Sequence, residues 1–190
     1  MIKYINGDIH DVIKTLEDNS IDFIYTDPPF TYELLRYEKP KYHYSWRKNN
    51  STGFLSSKYQ PLRQMEEIFI YYKKSGTYNP QMVGTKIFKK RNVKYGGKNG
   101  YWGEDGINKQ NEYNKDEGHV GTYPTTFKEW DIRKDNSGIT RTDEQIDYFI
   151  KTYSNETDTI LDMTCCNKYV GNRCEILNRN YIGVDIREII

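Results

Sequence analysis

The chain has 190 residues, 36% of them hydrophobic, and a formal net charge of +1. This length suffices for one α/β domain with its own core, and no stretch approaches the roughly 20 apolar residues that a membrane span requires. Its three cysteines, Cys165, Cys166 and Cys174, are odd in number and clustered, which argues against a disulfide framework. We therefore expect a soluble, cytoplasmic protein with free thiols and no membrane partner.

The nearly neutral net charge of the whole chain conceals a basic central segment. Residues 36–135 contain 20 Lys+Arg and 11 Asp+Glu, a balance of +9, whereas the rest of the chain contains 8 and 16, a balance of −8. Aromatic residues, many of them tyrosines, are interleaved with the lysines. Cations that neutralise phosphates and rings that stack on bases are typical of a nucleic-acid surface. A solvated, tyrosine-rich surface is the alternative.

The first predicted elements are a strand, a helix and a second strand. Residues 3–6 predict a short strand, and Asp8 is placed to cap the helix that follows. The helix is predicted by apolar residues at i, i+3, i+4 and i+7, namely Ile9, Val12, Ile13 and Leu16. Residues 21–25 form an apolar run that is typical of a buried parallel strand.

The middle of the chain is harder to assign. Residues 67–72 predict a strand, and residues 33–37 predict a weaker one. From residue 73 to residue 135, the Gly, Asn, Lys and Tyr content predicts long loops with little core. Such a stretch within a compact domain is usually functional or disordered. We therefore treat the whole chain, 1–190, as one domain with a loop-rich basic region at 73–135.

Regular elements return towards the end of the sequence. Residues 142–145 have the pattern of a capping box, and helical spacing continues to residue 153. A strand over residues 159–161 ends in Asp162, residues 171–177 predict a helix, and a strand over residues 181–184 ends in Asp185. Two strand–helix–strand units predict an α/β fold with a doubly wound, mostly parallel, Rossmann-like sheet.

Ligands of such sheets bind beyond the carboxyl ends of the strands, which directs attention to Asp27, Asp162 and Asp185. The first of these acids opens the sequence Asp27-Pro28-Pro29-Phe30. Two prolines hold the backbone extended and remove two N–H donors, so the loop presents acceptors beside an aromatic ring. Such a loop suits a planar group with an amino donor, for example adenine at N6. A rigid turn after a buried strand is the alternative.

Residues 27–30 resemble the catalytic motif Asp/Asn/Ser-Pro-Pro-Tyr/Phe/Trp of the amino-methylating DNA methyltransferases. The resemblance extends to Gly7-Asp8 after the first strand, to Asp162 at the cofactor loop and to the strand Asn180 to Asp185. This order is that of members in which the catalytic motif precedes the cofactor motif. Further segments look like a phage or viral branch of the family, at residues 52–55, 61–63, 71–74 and 77–81.

The resemblance implies an enzyme that transfers a methyl group from S-adenosylmethionine (SAM) to the exocyclic amine of a base in double-stranded DNA. Asp27 and the Pro28 carbonyl would accept hydrogen bonds from the amine, with Pro29 completing the rigid loop, and Phe30 would stack on the flipped base. The implied cofactor residues are Asp8, Asp162, Thr164, Cys166 and Asp185. For Asp185, the spacing of 23 residues after Asp162 also suits a ribose-binding acid, and a solvated carboxylate is the alternative. Helix capping is the alternative for Asp8.

The densest basic cluster falls where the resemblance places target recognition, and a solvated loop is its alternative. Its members are Lys86, Lys89, Lys90, Arg91 and Lys94. The cysteines and the scattered histidines have no zinc spacing, so no metal site is expected. Asp27 favours adenine N6 over cytosine N4, since the cytosine enzymes of the family more often have serine there.

Two features depart from the family pattern. The glycines of the cofactor loop are replaced by Cys166 and Lys168, and a lysine there either blocks the cofactor cleft or points outward. A helix–strand–helix segment after Phe30 is missing, which would leave the catalytic strand without one neighbour. The chain would then compensate as a homodimer, or be a catalytically inactive module that binds DNA or a partner. RNA or protein methylation is a further alternative.

Overall fold

The computed structural model describes residues 1–27, 39–88, 119–135 and 138–189. The described residues form two compact units. One unit comprises residues 1–79 and 125–190, and the other comprises residues 80–124. The second unit lies within the segment that was predicted to be loop-rich and basic.

A parallel sheet forms the centre of the first unit. Its strands are β1 (Ile2–Asn6), β2 (Phe23–Ile24), β10 (Thr159–Asp162) and β11 (Asn180–Asp185), in the order β1-β11-β10-β2. All three neighbouring pairs are parallel. The predicted strands are present, although β2 is shorter than the predicted run of residues 21–25. The α/β fold with a mainly parallel sheet is confirmed.

Three helices accompany this sheet. Helix α1 (Ile9–Val12) continues into a 3-10 turn, α2 (Asp143–Tyr153) follows the predicted capping box, and α3 (Tyr169–Ile176) follows β10. In the capping box, the side chain of Thr142 accepts from the Gln145 N–H at 3.4 Å. Among the described helices, none is long and apolar enough to cross a membrane.

Alternating residues of β10 and β11 divide the core into two faces. Ile160 and Tyr181 pack with Ile146 and Ile150 of α2. Leu161, Ile182 and Val184 pack with Val12 of α1. Because successive side chains of a strand point to opposite faces, α1 and α2 cover opposite sides of the sheet. This is the doubly wound arrangement that the sequence predicted.

A second sheet in the same unit was not predicted in this form. It consists of β3 (Tyr42–Thr52), β4 (Arg63–Ile70) and β7 (Phe127–Trp130), in the order β4-β3-β7. Strand β3 is antiparallel to β4 and parallel to β7. Buried rings of this sheet pack with Phe149 of α2, and these rings are Tyr44, Trp46 and Trp130. Strand β4 overlaps the predicted strand of residues 67–72, but it begins earlier, at Arg63, and ends earlier, at Ile70.

Two antiparallel two-stranded sheets complete the described strands. Strands β5 (Val83–Phe88) and β6 (His119–Thr122) pair in the second unit, and β8 (Arg133–Asp135) and β9 (Gly138–Thr140) pair in the first. The described parts of residues 73–135 contain strands β5 to β8 with loops between them, and a loop-rich basic region that resembles a target-recognition region stays a prediction. The weak strand predicted at residues 33–37 lies outside the described residues. The missing helix–strand–helix segment stays a prediction.

Gly171 of α3 lies close to two tyrosines of the parallel sheet, Tyr4 of β1 and Tyr181 of β11. A Cβ atom added there would overlap the Tyr4 hydroxyl and come within 2.9 Å of Tyr181 Cε1. Gly171→Ala should lower the free energy of unfolding by about 1–3 kcal/mol through overpacking, although alanine normally favours a helix by up to about 1 kcal/mol. Urea unfolding measures this, with Gly76→Ala as control because nothing lies within 4 Å of its added Cβ. A stabilised Gly171→Ala variant would contradict the expected overlap.

Candidate active site

The structure gathers the predicted strand-end acids at one edge of the parallel sheet. Asp27 lies just beyond β2, whereas Asp162 and Asp185 end β10 and β11. Strand β10 lies between β2 and β11, so their carboxyl ends are adjacent. The three carboxylates thus lie where parallel sheets bind ligands.

The hydroxyl of Thr164 joins the segment after β2 to the loop after β10. Thr164 Oγ1 lies 3.0 Å from Thr26 Oγ1 and accepts a hydrogen bond from the Asp27 N–H at 3.2 Å. Just before these residues in the chain, the Tyr25 N–H donates to the Leu161 carbonyl at 2.9 Å. Thr164 was predicted to be near the cofactor, but the contact of Thr26 was not foreseen. The predicted catalytic and cofactor segments are therefore connected directly.

Asp162 is buried and anchors the loop that follows β10. Its Oδ1 accepts from the Thr164 N–H at 3.1 Å, and its Oδ2 accepts from the Tyr181 hydroxyl at 3.2 Å. Burial raises the pKa of Asp162 to about 7, because the charged form loses hydration that these two bonds only partly replace. Asp162 therefore changes its protonation state near neutral pH.

The titration of Asp162 predicts a pH-dependent stability. An unfolded aspartate titrates near 3.9, so the folded chain binds the extra proton between about pH 4 and pH 7. The stability contributed by the protonated carboxyl is fully present below about pH 4 and is lost as the pH rises to about 7. Asp162→Asn cannot ionise, so its unfolding free energy should not show this fall. The unfolding free energy of the variant minus that of the wild type should therefore be roughly 2–3 kcal/mol larger at pH 8 than at pH 5.

Urea unfolding of both proteins at the two pH values measures this difference. Asp131→Asn serves as a control because Asp131 is exposed. A difference between Asp162→Asn and the wild type that is the same at both pH values would contradict the assigned titration.

In the predicted cofactor loop, Cys166 and Lys168, which stand where the resemblance predicts glycine, adopt backbone conformations compatible with a turn. Cys166 is exposed and has a φ of 52°, in the left-handed region that glycine normally occupies. Its N–H donates to Asp185 Oδ2 at 2.9 Å. Lys168 is exposed, and its carbonyl accepts from the Tyr4 hydroxyl at 3.1 Å. The loop thus keeps a glycine-like turn, and the Lys168 side chain lies in solvent.

Asp185 is paired with Arg187, a partner that sequence reasoning missed. Asp185 Oδ1 accepts from the Arg187 N–H at 2.9 Å and from Nε at 3.1 Å, and Oδ2 accepts from Nη2 at 3.3 Å. Burial opposes ionisation, but hydrogen bonds from Arg187 and Cys166 outweigh it and lower the pKa of Asp185. The carboxylate is therefore charged and well ordered. The Arg187 side chain is 69% exposed, so it can leave Asp185 without disrupting the core.

Asp27 is held by a second unpredicted arginine, Arg141. Arg141 Nη2 lies 2.8 Å from Asp27 Oδ2 and 3.3 Å from Glu66 Oε2. The guanidinium carbon lies 4.7 Å from the ring centroid of Trp46. Glu66 Oε1 in turn accepts from Lys48 Nζ at 2.8 Å. No sequence pattern marked Arg141, since its partners are far away along the chain.

Of the other predicted site residues, the structure describes two, Asp8 after β1 and Lys86 on β5. Asp8 caps α1, because its side chain accepts from the His10 N–H at 2.8 Å. Lys86 lies on β5 of the second unit, with its ammonium 5.0 Å from the Phe88 ring centroid. Seven residues lie outside the described part of the chain, namely Pro28, Pro29, Phe30, Lys89, Lys90, Arg91 and Lys94. No group of three His, Cys, Asp or Glu residues suited to a metal ion occurs among the residues described.

The fold is similar to that of solved DNA methyltransferases. A crystal structure of M1.HpyAVI in complex with SAM matches with a TM-score of 0.58 and 16% identity over 99% of this chain and 94% of that one. M1.HpyAVI in a second crystal structure gives 0.59 at the same identity and the same coverage. The cytosine-N4-specific PvuII DNA methyltransferase gives 0.61 and 10% identity over 98% of this chain and 82% of that one. Neither the protein-family models nor the curated proteins give a match. At these identities the likeness shows the fold.

Proposed function

We propose that the protein is a SAM-dependent methyltransferase that acts on an exocyclic amine of a base in double-stranded DNA. The observation that carries this proposal is the contact between the two predicted motifs. Thr164 of the loop after β10 bonds to Thr26 and to the Asp27 N–H at the end of β2. The acceptor for the amine and the loop for the cofactor are thereby held side by side. The solved structures with this fold include a SAM complex and DNA methyltransferases.

The described residues fit SAM at the edge formed by β10 and β11. Asp185 offers a charged carboxylate to ribose hydroxyls once Arg187 moves away, and the left-handed Cys166 lets the loop turn closely as glycine would. Asp162 fixes that loop through the Thr164 N–H. When bound, SAM would supply an electrophilic methyl group, whose bond to sulfur breaks as the bond to the amine nitrogen forms, leaving a neutral thioether.

Asp27 would act on the amine by accepting a hydrogen bond. Its Oδ2 is taken by Arg141, and among the described residues its Oδ1 accepts no hydrogen bond. A hydrogen bond from the amine to Oδ1 favours a pyramidal nitrogen and frees the lone pair for attack on the methyl carbon. The Asp27 side chain is 64% exposed, so the proton that the methylated amine loses has a path to water.

Adenine N6 is the target that we favour. Asp27 supports it, because the cytosine enzymes that the chain resembles more often have serine at this position. The similarity to the cytosine-N4-specific PvuII enzyme leaves N4 as the alternative outcome. Assembly as a homodimer and membership of a phage or viral branch stay predictions.

The test is transfer of labelled methyl from SAM to unmethylated duplex DNA, followed by digestion to nucleosides. Label in N6-methyladenine supports the full proposal, and label in N4-methylcytosine corrects only the base. RNA of the same sequence is the parallel acceptor, and preferential label in RNA would change the substrate class. Calorimetric titration with SAM accompanies the assay. If no acceptor is labelled and SAM does not bind, the proposed enzymatic activity is wrong, and an inactive binding module is favoured.

A further inference from the structure

We propose that Arg141 is the positioning residue of the active site, fixing the Asp27 carboxylate so that one oxygen faces the target amine. This inference rests on the proposed function, because it assigns a role within the same reaction. Arg141 Nη2 engages Asp27 Oδ2 at 2.8 Å. One carboxylate oxygen is thereby committed to the protein, and Oδ1, which accepts no hydrogen bond from the described residues, is the oxygen assigned to the substrate. Arg141 acts through Asp27 and needs no contact with the base.

The guanidinium of Arg141 is restrained from several directions. It lies over the ring of Trp46, which is fully buried in the second sheet. The same nitrogen that binds Asp27 lies 3.3 Å from Glu66 Oε2 of β4. Arg141 itself is only 26% exposed. A planar cation that is stacked and paired in this way has few accessible rotamers, so it is a rigid reference point for Asp27.

Glu66 is restrained in its turn by a buried cation. Lys48 Nζ lies 2.8 Å from Glu66 Oε1, and the Lys48 side chain is 4% exposed. The chain of contacts runs from Asp27 through Arg141 and Glu66 to Lys48. It therefore connects the end of β2 to the interior of the second sheet. A surface ion pair would not require such support.

The ion pair between Asp27 and Arg141 is expected to affect the reaction rate more than the folding stability. Asp27 is largely exposed, and exposed ion pairs typically contribute about 0–1 kcal/mol to folding. Without Arg141, the Asp27 carboxylate would rotate among its rotamers at little cost. A displacement of about 1 Å from the reactive geometry can slow a reaction by about 100-fold. The expected consequence of losing Arg141 is thus kinetic.

Arg141→Gln should lower kcat for methyl transfer by about 100-fold. The KM values for DNA and SAM should stay within about threefold of the wild type, because neither ligand contacts Arg141 in this proposal. The matched control is Arg47→Gln. Arg47 forms a 2.8 Å pair with Glu129 between β3 and β7 of the same sheet, so its loss should leave kcat unchanged. Arg141→Lys, which keeps the charge but not the planar fork, should restore kcat only in part.

The dependence on Asp27 is tested in an Asp27→Asn background. Asparagine keeps one carbonyl acceptor but not the ion pair, so the additional effect of Arg141→Gln should shrink to below about tenfold. An unchanged kcat in Arg141→Gln, or an equal loss in both backgrounds, would overturn the inference. If the wild type methylates DNA, either result leaves the proposed function standing. If the wild type transfers no methyl group, the proposed function fails first and this inference falls with it.

Thermal unfolding of each variant accompanies the kinetics. If Arg141→Gln does not fold, kcat and KM are measured on Arg141→Lys in its place. A partial loss of kcat in a folded Arg141→Lys protein, with KM unchanged, supports positioning. A wild-type kcat in that variant overturns it.

Discussion

Replacing Asp27 with alanine is expected to lower kcat for methyl transfer by about 10²–10³-fold, the cost of removing one well-placed hydrogen-bonding group from a reacting centre. Asp27 lies beside the loop of Thr164 but follows β2, whereas the proposed ribose-binding residue Asp185 ends β11. The affinity for SAM should therefore change by less than about threefold. Single-turnover transfer of labelled methyl and calorimetric titration with SAM measure the two quantities.

Asp185→Ala provides the reciprocal control for Asp27→Ala. It removes the carboxylate that accepts from the Cys166 N–H and from Arg187, so it should weaken SAM binding while leaving Asp27 in place. The two variants thus distinguish Asp27, the proposed hydrogen-bond acceptor for the target amine, from Asp185, the proposed acceptor for the cofactor's ribose hydroxyls. If Asp27→Ala retains wild-type kcat, Asp27 does not take part in the reaction, and the role assigned to the end of β2 is wrong.

Much of the parallel sheet could be predicted because its signals are local. The apolar spacing of residues 9–16, the capping box at Thr142 and the runs that end in Asp162 and Asp185 each depend on neighbouring residues. The rule that ligands bind beyond the carboxyl ends of parallel strands then placed the three acids at one edge. The structure confirms that placement for Asp27, Asp162 and Asp185.

The second sheet was missed because its core is sparse and its charges are paired over long distances. Strand β3 buries Tyr44, Trp46 and Lys48 at alternate positions among polar residues. A lysine in that pattern looks like a solvent-facing position. It is buried because Glu66, 18 residues away, pairs with it. The contact of Arg141 with Asp27 spans 114 residues, so no local pattern could reveal it.

The altered cofactor loop illustrates a different limit. The resemblance predicted glycines where this chain has Cys166 and Lys168, and it left open whether the lysine blocks the cofactor cleft or points outward. The structure resolves this through backbone geometry, since Cys166 adopts the left-handed conformation and its N–H is fixed by Asp185. A non-glycine residue at positive φ costs about 1 kcal/mol or more, and the bond to Asp185 helps to maintain it. Such compensation becomes visible only in three dimensions.

Glu66→Ala is expected to lower the free energy of unfolding by about 3–5 kcal/mol, the typical cost of leaving a buried charge without its partner. The Lys48 ammonium would keep only the Thr52 hydroxyl, at 3.4 Å, among its described partners. Arg141 would lose the second of its two carboxylates as well. Urea unfolding with linear extrapolation measures the change.

Glu129→Ala is the matched control for Glu66→Ala. Glu129 also pairs with a cation of β3 at 2.8 Å, but both partners of that pair are more than half exposed, so its loss should cost about 0–1 kcal/mol. Adding Lys48→Met to Glu66→Ala removes the stranded charge and should recover part of the stability, since apolar replacements of buried ion pairs are often neutral. If Glu66→Ala costs no more than Glu129→Ala, the buried pair does not support the sheet. The chain of contacts from Lys48 to Asp27 would then lack its fixed end, and the stacking on Trp46 would be the remaining link between Arg141 and the core of the second sheet.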